Sequence, residues 1–290
     1  MTAQATTPRT APREGRADAR NALARLWVFA VWALVIFFVL NLLALIAAVM
    51  VNSLGTRWLG TWLPAGFTTK WFSSAWSEFQ LGDVLLVTFE IVGLVVLLSG
   101  LIGVPAAYAM ARREFPGKRA LMLLFLLPLM VPPITFGIPL ASVLYQAKLA
   151  GSMAGVVLAN LVPTVPFVIL VMIPFVEQID PRVEAAGRVF GAGTGRLFWH
   201  VLMPLLAPGV LAALLLVLVR TIAMFELTFF TAGPTSQTIV VALYYAVYAA
   251  GVRAGQSIDA MAVVYMLTTL VWLLVALRFV NPTQIVARGR

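Results

Sequence analysis

The sequence predicts an all-α polytopic membrane protein with six transmembrane helices, and three observations carry that expectation. Of its 290 residues, 62% are hydrophobic and only 11% are charged, against about 45–50% and about 25% in soluble domains. Apolar runs long enough to cross a bilayer recur along the chain, and the basic residues are split unevenly between alternate connecting segments. So little charge cannot cover so much apolar side chain in water. A soluble enzyme is excluded, as is a disordered or nucleic-acid-binding chain, despite a net charge of +9.

In chain order, residues 1–25 are polar, rich in Ala, Thr and Arg, and read as a disordered tail. From Leu26 to Val51 the chain is almost unbroken apolar, about 39 Å as a helix and enough to span with some tilt. The apolar core of a secretory signal is typically about 7–15 residues, so this run reads as an uncleaved anchor. Five further spans follow from the same length rule, at Val84–Ala111, Ala120–Ala147, Ala154–Val176, Val201–Phe225 and Ile258–Val280. The stretch Ile239–Ala250 is apolar but too short to cross, and is expected to lie at or dip into one membrane face. Residues 26–280 thus form one transmembrane domain, and 281–290 a second tail.

Orientation follows from the basic residues. With the first tail inside, 15 of the 20 Lys and Arg residues fall on the cytoplasmic side, four on the other, and Arg220 within a span. That asymmetry predicts that both termini are cytoplasmic. The external segment 52–83 carries Trp58, Trp62, Trp71 and Trp76, which suit an interfacial belt of aromatic side chains.

Several chemistries are closed to this chain. It has no cysteine and a single histidine, His200, so neither a thiolate nucleophile nor a metal cluster is expected. Gly117-Lys118 continues into Arg119 with no glycine five residues upstream, so there is no phosphate-binding Walker loop. No catalytic site and no cofactor are expected, and any ATP must be bound by another chain.

The most informative segment is the cytoplasmic loop 180–209. Asp180 is placed to cap a helix whose first turn holds Pro181. That helix runs to about Phe190 and contains Glu184, Ala185 and Ala186, until Gly191, Gly193 and Gly195 break it. A second short helix carries Phe198 into Pro204 and Pro208 at the start of the next span. The result is a small-faced helix–turn–helix suited to a partner's cleft.

This loop resembles the EAA loop of ABC importer permeases. Gly191, Ala192, Phe198, Pro204 and Pro208 fall at that family's spacings, and Arg112-Arg113-Glu114-Phe115-Pro116-Gly117-Lys118 looks like a turn of its sugar permeases. The family's Glu position holds Ala185, with Glu184 one residue early, a rotation of about 100° on a helix. The resemblance implies a permease subunit whose loop, about residues 182–200, docks on a separate cytoplasmic ATPase as a pair of coupling helices. It implies two further partners, a second and related permease chain and an extracytoplasmic solute-binding protein, in a bacterial-type inner membrane.

Polar residues in or just beyond the spans, with one neighbouring ring, are candidates for a solute path: Arg220, Phe225, Glu226, Thr228, Asn160 and Glu90. A charge at bilayer depth costs about 2.5–3.5 kcal/mol on insertion scales and usually faces a cavity or a partner. For Arg220 two readings stand: a solute-lining cation with Glu226, Phe225 and Thr228, or a structural group that pairs with an acid such as Glu226 or Glu90 or snorkels outward. Asn160 could touch solute or hydrogen-bond a neighbouring helix. Prolines 128, 132, 133 and 139 in the third span, and 163, 166 and 174 in the fourth, must free backbone carbonyls. The expected solute is a small polar organic molecule, a sugar or a polyamine-like compound. The alternative class is a gradient-driven secondary transporter using Glu90, Arg220 and Glu226 as a relay.

Overall fold

The computed structural model of the chain describes residues 14–248 and 254–279. Its helices are α1 (Glu14–Leu54), α2 (Lys70–Glu78), α3 (Leu81–Arg112), α4 (Lys118–Met130), α5 (Pro133–Gln146) and α6 (Met153–Glu177). They continue as α7 (Pro181–Val189), α8 (Thr194–Leu197), a π turn (Phe198–Leu202), α9 (Met203–Ile222), α10 (Glu226–Thr231), α11 (Ile239–Tyr248) and α12 (Gly255–Phe279). Among the described residues there is no strand beyond one isolated bridge, Gly55 to Phe67.

Among the described residues five helices are long and apolar enough to cross a membrane, or six with one bent pair taken as a span. That pair is the expected span Ala120–Ala147. It divides into α4 and α5, bent by 103°. The reason is local: Pro133 pushes Pro132 into an extended conformation (φ −55°, ψ 135°) and then starts α5 as its first residue. In α6, by contrast, Pro163, Pro166 and Pro174 leave the helix continuous.

One correction concerns the first tail. Helix α1 begins at Glu14, so residues 14–25 are helical, while the part long and apolar enough to cross a membrane is Ala24–Leu54. The run Arg16-Ala17 to Ala24-Arg25 is dominated by strong helix formers and has no glycine or proline. Residues 1–13 and 280–290, which hold the rest of the expected tails, lie outside the described residues, as does the end of Ile239–Ala250.

The core is the packing of α3, α6 and α9. Val95, Val168, Met172, Val176, Ala213 and Val217 are fully buried there. Gly103 makes the closest approach: a Cβ on it would stand 2.6 Å from Val168 Cγ1. Helix α1 is different, with large apolar side chains exposed from Leu26 to Ile46, as befits a helix apolar all round and immersed in hydrocarbon. It is tied to α12 where Asn52 Nδ2 donates to Asp259 Oδ2, and Trp58 Nε1 donates to Asn52 Oδ1 at 2.7 Å.

After α9 the chain folds back. Helix α10 reaches α6, where Asn160 Nδ2 donates to Thr228 Oγ1 at 3.4 Å. The next turn meets the α5–α6 connection, Gly151 N donating to Thr231 O at 2.8 Å and Ser236 Oγ to Gly151 O at 3.0 Å. Helix α11 joins α3, its Ile239 N donating to Thr88 Oγ1 at 2.9 Å. Its ten described residues rise about 15 Å, short of a bilayer's hydrocarbon core.

Candidate coupling loop and membrane pathway

The loop between α6 and α9 is built as its sequence predicts at the start and more tightly than predicted thereafter. Asp180 accepts from the Arg182 amide at 2.8 Å, capping α7, with Pro181 in the first turn. The helix ends in a Schellman closure: Ala192 N donates to Gly187 O at 3.1 Å and Gly191 N to Arg188 O at 2.9 Å. Gly191 holds the left-handed conformation this closure needs, φ +80°. The Gly191-Ala192 pair is therefore the stop signal of α7.

Leu197 of α8, Leu202 of the π turn and Leu206 of α9 plug this end of the loop into the core, all buried. Between α8 and α9 the helix widens to a π turn over Phe198–Leu202, Met203 N reaching back five residues to Phe198 O. Pro204 explains this, because it has no amide to give and its ring would clash with the carbonyl four residues earlier.

Glu184 lies on the inner side of α7, only 7% exposed. It accepts from Arg112 Nε at 2.6 Å and from the Tyr108 hydroxyl at 2.7 Å, both from the last turns of α3. Arg112 also donates from Nη2 to Ile179 O at 2.5 Å. Phe198 packs edge-on against Tyr108, ring centroids 5.7 Å apart. Ala185, Ala186 and Gly191 face outward, Ala192 is half-buried, and Pro204 is exposed. Val189 and Phe190, which sequence reasoning did not single out, are 84% and 90% exposed at the tip. Two bulky apolar residues just before a helix-ending glycine were the available signal.

The candidate pathway residues do not form one cluster. Asn160 and Thr228 meet each other and are buried; Asn160 Nδ2 also donates to Val156 O at 2.9 Å. Glu90 is exposed on α3. Arg220 is half-buried and stacks over Phe167, 5.4 Å from Cζ to the ring centroid. Arg220 forms no salt bridge with Glu226 or Glu90: among the described residues the salt bridges are Arg112–Glu184 and Lys118–Glu114. Phe225 joins Phe229, Phe230, Tyr244, Tyr245 and Tyr248 in a continuous aromatic group with centroid spacings from 4.7 to 5.8 Å. Among the described residues no group of His, Cys, Asp and Glu could hold a metal.

Among the described residues, helices long and apolar enough to cross a membrane, one bent helix pair and an ordered helical loop define a polytopic membrane protein. The chain belongs to the family described as the inner membrane component of binding-protein-dependent transport systems, whose pattern covers residues 99–283. It is thus an inner membrane protein. The chain is similar to the melibiose/raffinose/stachyose import permease MelC of Bacillus subtilis, 31% identical over 155 residues, 53% of this chain and 55% of that one. The molybdenum transport permease ModB of Escherichia coli K12 is 29% identical over 189 residues, 60% of this chain and 82% of that one. The chain spans about half the length of the first curated relatives it matches. Its fold is that of a chain in a bacterial ABC transporter that imports the acidic polysaccharide alginate, with TM-score 0.68, 16% identity, and 95% and 100% of the two chains covered.

Proposed function

We propose that this chain is a permease subunit of an ATP-driven importer, forming half of a solute path by alternating access together with a second, related permease. A cytoplasmic ATPase docks on residues 182–200, and an extracytoplasmic solute-binding protein delivers the solute. Both termini are cytoplasmic on this reading, and the chain hydrolyses nothing itself. The observation that carries it is α7, locked at its base by Glu184 and Arg112 while Val189 and Phe190 stand exposed at its tip. Such a helix moves with α3 and offers an apolar foot to a partner.

The solute is a saccharide or a small oxyanion, in line with the permease names of MelC and ModB. Support also comes from a solved alginate transporter in complex with a periplasmic protein bound to alginate pentasaccharide, 16% identical with TM-score 0.65. A polyamine-like solute is disfavoured, because Arg220, which has no salt bridge among the described residues, would repel it. The gradient-driven alternative has no support, since Glu90, Arg220 and Glu226 make no ion pair with one another among the described residues.

Uptake of labelled raffinose and labelled trigalacturonate into membrane vesicles holding the chain with its native partners tests the reading. Accumulation that needs ATP and survives a protonophore is expected. Accumulation driven by an ion gradient without ATP contradicts it.

A further inference from the structure

Arg220 stands beside Phe167, ten residues from the Glu177 end of α6 and 14 from Met153, near the middle of this span. Those intervals are about 15 and about 21 Å. A guanidinium at that depth is costly unless it faces water, a partner or a solute. The chain has 11 acidic residues, and all but Glu14 and Asp18, at the far end of α1, have described side chains. None of those described forms a salt bridge with Arg220, and its guanidinium stacks over the Phe167 ring. A guanidinium has five donors and cannot be neutralised by losing its proton.

Two neighbouring features say what it faces. Arg220 is half-buried at the border between two faces, with Val217 and Met224 buried on one side and Leu216 and Ala223 exposed on the other, so its guanidinium lies at the edge of the packed interior of the chain. The turn that follows carries Phe225, the first ring of the aromatic group, with Tyr244, Tyr245 and Tyr248 exposed beyond it. Rings of this kind stack on the apolar faces of sugar rings while tyrosine hydroxyls hydrogen-bond their edges.

We infer that Arg220 is an anion-binding group on the solute path and that the solute is an acidic saccharide, its carboxylate received by the guanidinium and its rings by the aromatic group. This rests on the permease reading and assigns that path a substrate class. A carboxylate can take the paired donors of the guanidinium fork, while the face of the guanidinium stays on Phe167.

The chain has no cysteine of its own, so Ala223→Cys introduces a single thiol one turn from Arg220 on the same face. In membranes holding the full transporter, that thiol is labelled with a sulfonate-bearing or a trimethylammonium-bearing methanethiosulfonate. The anion-to-cation rate ratio, corrected for free thiol, is expected to favour the anion. It should fall roughly tenfold in Arg220→Gln, as expected for a nearby unit charge, and hold in Arg220→Lys. Trigalacturonate should slow the labelling and maltotriose should not. No labelling by either reagent, a ratio indifferent to Arg220→Gln, or equal protection by the two trisaccharides overturns the inference. Each readout stands at residue 223 and leaves ATPase association untouched, so its failure is distinct from failure of the permease reading, which retention of the ATPase tests.

Discussion

The Nε of Arg112, in the last turn of α3, donates to Oε1 of Glu184 in α7 over 2.6 Å, joining a membrane-crossing helix to the loop that follows α6. The carboxylate's other oxygen takes the Tyr108 hydroxyl, and the guanidinium also holds the Ile179 carbonyl. Side chains of Arg112 and Glu184 are only 15% and 10% exposed. Displacement of α7 therefore pulls directly on α3.

Removing one partner of that joint leaves a buried charge alone. Glu184→Leu and Arg112→Met are each expected to cost about 3–5 kcal/mol, and the double variant to recover most of the loss. Thermal unfolding of the four proteins in mild detergent measures the cycle. Simple additivity would show that the two side chains are not coupled.

The end of α7 depends on one left-handed residue. Gly191→Val should destabilise the loop by about 1–2 kcal/mol, because a β-branched side chain resists φ near +80°. Limited proteolysis within 189–196 should speed up accordingly, whereas Gly193→Ala, at an ordinary φ of −67° with open space around it, should change little.

The contact of α3 with α6 leaves no room at Gly103. Gly103→Val is expected to cost about 1–3 kcal/mol by overpacking against Val168. Val168→Ala in the same chain should restore part of it. Equal loss with and without Val168→Ala would mean the clash lies elsewhere.

Asn160 is buried and engaged with Val156 and Thr228, which favours the helix-pairing reading over solute contact. Asn160→Ala should cost about 1 kcal/mol of stability. Its effect on uptake should be the same for raffinose and trigalacturonate, while Arg220→Gln should depress trigalacturonate uptake selectively.

The membrane-crossing helices were legible because length and hydropathy alone decide them in hydrocarbon. The break at Pro132-Pro133 was only half legible: proline announces a lost amide, but the same residue type bends the chain there and leaves α6 continuous. Tertiary packing decides which. In the loop, Asp180, Pro181 and Gly191 declared the helix ends through local backbone chemistry. The inward turn of Glu184 was visible only as a one-residue offset from the family position, and its partner, 72 residues upstream, was not visible at all. Long-range ion pairs leave no local pattern, which is also why the residues alone left the surroundings of Arg220 open.

The central claim is that the tip of α7 is the foot on which an ATPase stands. The chain is purified through an affinity tag from its own membranes, as wild type, Phe190→Asp and Val143→Leu, the last an exposed position on α5 far from the loop in sequence, and co-purifying chains are identified by mass spectrometry. The account predicts that a chain with a Walker-type nucleotide site accompanies the wild type and Val143→Leu and is lost from Phe190→Asp, with the thermal unfolding of all three unchanged. Retention of that ATPase by Phe190→Asp, or its absence from the wild type, would contradict it.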